Sequence, residues 1–351
     1  MLTSLAVSNF SIFQELQLRF TGNLNIIVGE NSTGKSHLLK LAYVLCAIQS
    51  ESSETSVPAI HYHLDERIAE KLVAVFRPDF LGGLVNRSSV RSRCKVESHF
   101  MEHGALESSL GFSFAPNSRK KVSLETHKAS RSFKEPVMMP PKEILTIFPS
   151  LSVIHDRREL FLDETYYDLS RKFLAGPLQS AKLAGIVNLI DELESILQGK
   201  IILEHGRFYV HTRDKGRLEV GLLAEGLRKI AQLAYLLLNG ALSKGSTLFW
   251  DEPDANLNPK LIRKVAKALM VTAQSGIQIV IATHNLFLLR ELALLRKDFS
   301  ISPLFTGLEC NNSGAVAHQA DELEGLPNIT ALDEELEQSD RYLEQHLESA
   351  T

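Results

Sequence analysis

The chain has 351 residues, 44% hydrophobic and 23% charged, with a formal net charge of −4. That is the make-up of a folded globular protein, and it excludes a disordered chain, a collagen or a coiled-coil rod. No apolar run approaches the length of about 18 residues that a membrane span needs, Met1–Phe10 lacks the basic-then-apolar order of a secretory leader, and three scattered cysteines (Cys46, Cys94, Cys310) have no metal spacing and suit a reducing cytoplasm.

In chain order, Leu2–Val7 and Leu16–Phe20 alternate as half-buried strands do, and Leu24–Val28 is a short apolar run ending at Gly29. Gly29, Glu30, Asn31, Ser32, Thr33, Gly34, Lys35 and Ser36 then match the GxxxxGK[ST] pattern, with His37 directly after. The pattern lies between a predicted strand and a predicted helix, the context it requires; a plain glycine-rich turn is the competing reading. The glycines let the backbone curl so that N–H groups point at a β-phosphate, and the following helix adds its positive end. Lys35 would bridge the β- and γ-phosphates of ATP, and Ser36 would bind Mg2+. The helix is predicted from Lys35 to about Ser50, because Leu38, Leu39, Ala42, Leu45 and Cys46 recur at helical spacing. Ser50–Pro58 reads as a polar break.

Residues 59–135 read as a strand-containing insertion rich in Ser, Arg and Lys, closed by Pro136, Pro140 and Pro141. Between 86 and 135 an excess of Arg and Lys over Glu can hold an anionic partner, without demonstrating nucleic-acid binding. His61 and His63 have no further ligand near them in sequence and read as surface residues. A helix is predicted from about Ser180 to Gln198 on the stripe Leu183, Ile186, Ile190, Leu193 and Leu197, with Gly199 ending it in a left-handed conformation. Ile201–Glu204 and Arg207–Val210 flank His205-Gly206 as a hairpin.

From Gly221 strands and helices alternate, which indicates a parallel sheet covered on both faces. A helix is predicted from Glu225 to Asn239; Ala224, Glu225 and Gly226 stand at its start. Its N-terminus is an anion site, and since the first loop already serves the chain's own phosphates, it would serve a nucleotide held by a second copy. The strand Thr247–Trp250 ends in Asp251 and Glu252: Asp251 would hold Mg2+ through a water, and Glu252 would accept a proton from an attacking water. A helix follows from Pro259 to about Gln274, then the strand Ile277–Ala282, then Thr283-His284-Asn285. His284 stands at the C-terminal end of a parallel strand, where ligands bind, and would contact the γ-phosphate. Residues 321–351 hold ten acidic residues and one basic; from Thr330 they read as a helix that docks on its own domain or, as the lesser alternative, on a partner.

Taken in order, the N-terminal Leu-x-x-Leu-x-Val-x-Asn-Phe run, the phosphate loop, Leu223-Ala224-Glu225-Gly226, Phe249-Trp250-Asp251-Glu252-Pro253 through Pro259, and Ala282-Thr283-His284-Asn285 resemble an ABC-type ATPase head. They look most like the stand-alone, non-transporter class that includes RecF, SMC and OLD-type ATPases and the AAA-15 and AAA-21 groups. The resemblance covers roughly 1–46 and 218–292. It implies an α/β fold: a P-loop head formed by 1–50 and 218–320, a β-containing insertion with a helical lobe over 51–217, and an acidic C-terminal helix over 321–351. It makes Ser36 and Asp251 the Mg2+ residues, Glu252 the catalytic base and His284 the switch histidine, with Lys35 as phosphate lysine. Ala224–Gly226 becomes a signature acting in trans, and Asp254–Asn258, including Asn256 and Asn258, the D-loop at a dimer seam. Two departures stand out: the usual Ser of the signature is Ala224, and a frequent Gly is Glu225, whose charge Arg228 or Lys229 would offset. Slow hydrolysis follows from both. The Q-loop residue is not assignable. The function so implied is an ATP-driven dimerisation switch, in a homodimer or higher even oligomer, controlling a separate effector or toxin in bacterial antiviral defence. The alternative is a RecF/SMC-like DNA-binding ATPase in DNA repair or genome maintenance; a transporter subunit is disfavoured.

Overall fold

The computed structural model describes residues 1–54, 63–87, 92–101, 107–130, 132–148, 162–178, 186–212, 214, 216–311, 314–327, 334, 337, 338, 341 and 342. Its centre is a six-stranded sheet. In chain order its strands are β3 (Leu24–Gly29), β7 (Val137–Met139), β11 (Thr247–Asp251), β12 (Gln278–Thr283), β13 (Leu304–Asn311) and β14 (Gly314–Ala320). They lie in the order β14-β13-β3-β12-β11-β7. All neighbours are parallel except β13 and β14, so the C-terminal ends of β3, β11 and β12 open on one side.

Side-chain alternation on these strands divides the core in two. Leu24, Ile26, Leu248, Trp250, Ile279 and Ile281 face one cluster, while Ile27, Phe249, Val280 and Ala282 face the other. Helix α1 (Lys35–Glu54) lies in the second cluster, between the parallel sheet and an antiparallel sheet of order β2-β1-β4-β5-β6. The strands of that sheet are β1 (Leu2–Phe10), β2 (Phe13–Arg19), β4 (Cys94–Met101), β5 (Glu107–Phe114) and β6 (Ser123–Lys128). The first cluster is covered by α4 (Val187–Leu197), α5 (Glu225–Leu238), α6 (Pro259–Gln274) and α7 (Leu286–Phe299). Helices α2 (Leu64–Phe76) and α3 (Glu164–Phe173) lie between these units in sequence. A small sheet joins β8 (Gly199–Glu204), β9 (Arg207–Thr212) and β10 (Gly216–Glu219).

Several expectations are corrected. Helix α1 runs on to Glu54, through the start of the polar stretch, where the Ser52 hydroxyl donates to the Ile48 carbonyl at 2.9 Å. Within 59–135 the chain forms α2 as well as strands, and its strand β4 pairs with β1 (Val7 opposite Val96, for example). The left-handed residue that ends α4 is Gln198, at φ 56°, and not Gly199. Gly199 begins β8, where a Cβ would lie 2.5 Å from the His211 carbonyl oxygen; close strand approach is what excludes a side chain there. Helix α4 is described from Val187; Leu183 and the rest of 179–185 lie outside the described residues, as does nearly all of the expected C-terminal helix. The His205-Gly206 hairpin forms, with φ of 50° and 74° at its two central residues, the left-handed pair that a tight two-residue turn needs.

Candidate functional site

The site assembles at the C-terminal ends of β3, β11 and β12. The phosphate loop leaves β3 at Gly29, where a Cβ would lie 2.5 Å from the Leu308 carbonyl oxygen of β13. It turns through Ser32 and Gly34, both left-handed at φ 68° and 89°, and Gly34 has no room for a side chain against Ile12 and Phe13. Glycine is required there by both backbone angle and space. Thr33 ties the loop to itself by donating to the Glu30 carbonyl at 2.9 Å. Glu30, Asn31 and Ser32 are exposed on the rim.

Lys35, 7% exposed, folds back so that Nζ donates to the carbonyls of Gly29 at 2.8 Å and Glu30 at 2.6 Å. Burial lowers its pKa, opposed by the charges of Glu252, Asp251 and Glu30. The ring of His37 is held by Ser11, whose Oγ lies 2.5 Å from Nδ1, and stands edge-on to Phe76 at 5.4 Å. His37 thus links the β1–β2 turn to the start of α1.

Asp251 ends β11 almost fully buried, 2% exposed. Burial raises its pKa; a hydrogen bond from Ser36 and the charges of Lys40 and Lys35 oppose the rise, and Glu252 adds to it. Its Oδ1 has no hydrogen-bond partner among the described residues. A carboxylate oxygen buried without a partner is costly, and a hydroxyl beside it completes a hard, all-oxygen donor pair that suits Mg2+. Ser36 and Asp251 therefore fit that cation.

Glu252 adopts a left-handed backbone, φ 46°, and its amide donates to the Ala282 carbonyl at 2.9 Å. This unusual conformation for a non-glycine residue turns its side chain toward His284, whose Nδ1 lies 3.4 Å from Oε1. Thr283 donates to Asp254 Oδ1 at 2.7 Å and accepts the Asn285 amide at 3.0 Å, so the histidine turn and the segment after Glu252 are hydrogen-bonded together. Of the predicted D-loop residues, Asn256 is exposed at φ 63°, and Asn258 is the N-cap of α6, accepting from the Leu261 amide at 3.0 Å.

The predicted signature residues lie where α5 begins, with no side-chain cap from Ala224. Gly226 packs against the segment leading into α6 and against its first turn: a Cβ there would lie 2.3 Å from Leu257 Cδ2 and 3.1 Å from Leu261 Cδ1. Glu225 receives the Asn256 side-chain amide at 3.2 and 3.3 Å on its two oxygens. Arg228 pairs with the buried Glu143 at 3.1 Å, just beyond β7. Lys229, 1% exposed, donates to the carbonyls of Glu252 at 3.1 Å and Ala255 at 3.0 Å. Burial lowers its pKa against the charges of Glu225, Asp254, Glu252 and Glu143. Arg228 is thus engaged by Glu143, whereas Lys229 still feels Glu225 as the foremost of its surrounding negative charges, and Glu225 also holds Asn256.

The structure brings together Lys35, Ser36, Asp251, Glu252 and His284. Sequence reasoning missed Glu143, which pairs with Arg228, and Lys40, which pairs with Asp163 at 2.7 Å; it named Thr283 and Asp254 but not the hydrogen bond between them.

A phosphate loop feeding a helix, an acid-tipped neighbouring strand and a histidine-tipped third strand define a P-loop ATPase head of the ABC type. The chain belongs to the AAA_21 family, described as "AAA domain, putative AbiEii toxin, Type IV TA system", whose model matches residues 24–290. It is similar to the DNA replication and repair protein RecF of Limosilactobacillus fermentum, 29% identical over 96 residues, 27% of this chain and 22% of that one. RecF of Latilactobacillus sakei is 30% identical over 64 residues, 18% of this chain and 17% of that one. These matches thus span about a fifth of the relatives' length. Among solved structures, the SMC head bound to the C-terminal winged-helix domain of ScpA aligns over 92% of this chain and 98% of that one, with TM-score 0.56 and 14% identity. The SMC head of Thermotoga maritima aligns over 91% and 98%, with TM-score 0.53 and 16% identity. The family match and the shared fold place the chain in the RecF/SMC-like class.

Proposed function

We propose that the protein binds and slowly hydrolyses ATP, and that ATP closes two copies into a dimer that governs a separate effector. The observation that carries the reading is the Asp251 Oδ1 beside Ser36, without a hydrogen-bond partner among the described residues, with Glu252 and His284 side by side just after β11 and β12. Lys35 would leave the Gly29 and Glu30 carbonyls for the β- and γ-phosphates. Mg2+ held by Ser36 and Asp251 would supply charge neutralisation there. Glu252 would orient water in line and take its proton, and His284 would steady the γ-phosphate and the Glu252 carboxylate. The start of α5, with Leu222 exposed just before it, would face the triphosphate of a second copy. The AAA_21 description names a toxin–antitoxin system, which suits a switch acting on a toxin or other effector, in antiviral defence.

The similarity to RecF favours a second reading, a DNA-binding ATPase in repair or genome maintenance. Either reading requires closure on ATP. With Glu252→Gln, turnover is expected to fall at least about 100-fold, the range of a lost general base, while Mg-ATP binding persists and light scattering reports a long-lived dimer. A mass that stays that of a monomer at saturating Mg-ATP would remove the dimer switch.

A further inference from the structure

The fold contains a buried cation that the hydrolytic scheme above does not use. Lys229 lies one turn after Glu225 on α5, so both reach the same side of the helix. Its amine meets two main-chain carbonyls, those of Glu252 and Ala255, while Glu225 meets Asn256. Between them, these two side chains grip the turn 252–256 at both ends. That turn contains two non-glycine residues in the left-handed region, Glu252 and Asn256, a conformation that persists only where its surroundings impose it. Gly226, sitting between the two tethers, lets α5 approach Leu257 closely enough for both to reach.

A purely structural role for Lys229 is hard to reconcile with its chemistry. Burying an ammonium group is unfavourable, and an apolar side chain would pack the same space at lower cost. Among the described residues no carboxylate lies within ion-pair distance of its Nζ; the carbonyls are what it holds.

We infer that Lys229 is a positioning residue for Glu252: with the Glu225–Asn256 tether it fixes the backbone that aims the Glu252 carboxylate, and it links that aim to the helix end predicted to meet a second copy's nucleotide. The inference rests on the ATPase reading. A lysine that sets the direction of Glu252 affects the chemical step and leaves nucleotide capture at the phosphate loop alone.

The test compares the wild-type chain with Lys229→Met, which keeps the stem and loses the donor, and with Asn256→Ala, an exposed change that leaves the core intact. For Lys229→Met the ATPase kcat is expected to drop at least tenfold while the Mg-ATP dissociation constant stays within threefold. For Asn256→Ala a two- to fourfold drop is expected at unchanged affinity. Wild-type kcat in both variants overturns the inference, and so does a loss of affinity that parallels the loss of kcat, because that reports general distortion. Should Lys229→Met fail to fold, Asn256→Ala decides alone by the same split. A wild-type protein that binds Mg-ATP without any turnover refutes the hydrolytic reading itself, a result separate from either variant's behaviour.

Discussion

Lys35 is the residue on which nucleotide capture turns. Its ammonium is already dehydrated and close to three carboxylates, and its hydrogen bonds go to loop carbonyls that a triphosphate would replace. Removing it takes away the loop's own cation, which offsets Glu30, Asp251 and Glu252 beside the phosphates. Lys35→Ala is therefore expected to weaken Mg-ATP binding at least 100-fold. Trp250 offers the readout. It is the sole tryptophan, it is buried beside Asp251, and its Nε1 has no hydrogen-bond partner among the described residues. Its emission should shift as Mg-ATP binds the wild type and stay flat for Lys35→Ala at the same concentrations. An equal titration curve for the two proteins would overturn the phosphate-loop assignment.

At the scale of elements, the helix that follows the loop is anchored by charge as well as by packing. Asp168 of α3 accepts from the Tyr43 hydroxyl of α1 at 2.5 Å and pairs with Lys71 of α2 at 2.6 Å and with Arg171. Burial alone would raise the Asp168 pKa; the charge and hydrogen bond of Lys71, the Tyr43 hydroxyl and Arg171 outweigh it and hold the group below its ordinary 3.8. With a folded value below the unfolded one, the pairing stabilises the fold above the ordinary carboxylate range and is lost as pH falls through the depressed value. Asp168→Asn strands Lys71, which is 4% exposed, so a loss of about 3 kcal/mol is expected at neutral pH in urea unfolding. A change below about 0.5 kcal/mol, the scale of an ordinary surface substitution, would mean the cluster contributes nothing. None of this was legible beforehand, because three carriers distant in sequence meet only once the helices pack. The legible elements were those with local signatures: the phosphate loop, the apolar strand before Asp251, and the helix begun by Pro259. Helix α2 did carry a signal, Ile68, Leu72 and Val75 at helical spacing, hidden among polar neighbours. Strand β7 carried almost none: three residues between prolines become a strand because β11 offers an edge. Lys229 was legible only as a charge that would offset Glu225; its hydrogen bonds to the Glu252 and Ala255 carbonyls arise only when the 252–256 turn packs on α5.

Considered as a whole, the molecule's surface charge bears on the choice between effector control and DNA binding. The basic surplus of 86–135 suggests a nucleic-acid face only if its cations are gathered and unengaged. Lys95 pairs with Glu125, and Lys121 with Asp65 and Glu66. Arg93 is held by Ser113 and Ser123, and Lys134 by Ser243 and the Lys244 carbonyl. Arg91 and Arg131 lie outside the described residues. Arg87, Arg119, Lys120 and Lys128 remain exposed, with Arg119 lying over the Phe80 ring at 5.7 Å. Four phosphate contacts give a log–log salt slope of only about −4 for duplex DNA, since each neutralised phosphate contributes about −0.9. Such binding is weak at physiological salt and unsuited to gripping a duplex by charge alone. At about 150 mM salt, duplex DNA is therefore expected to leave ATP turnover within twofold of its basal rate. Stimulation above fivefold, accompanied by a slope steeper than about −6, would require cations beyond these four and would decide for the DNA-repair reading over the effector switch.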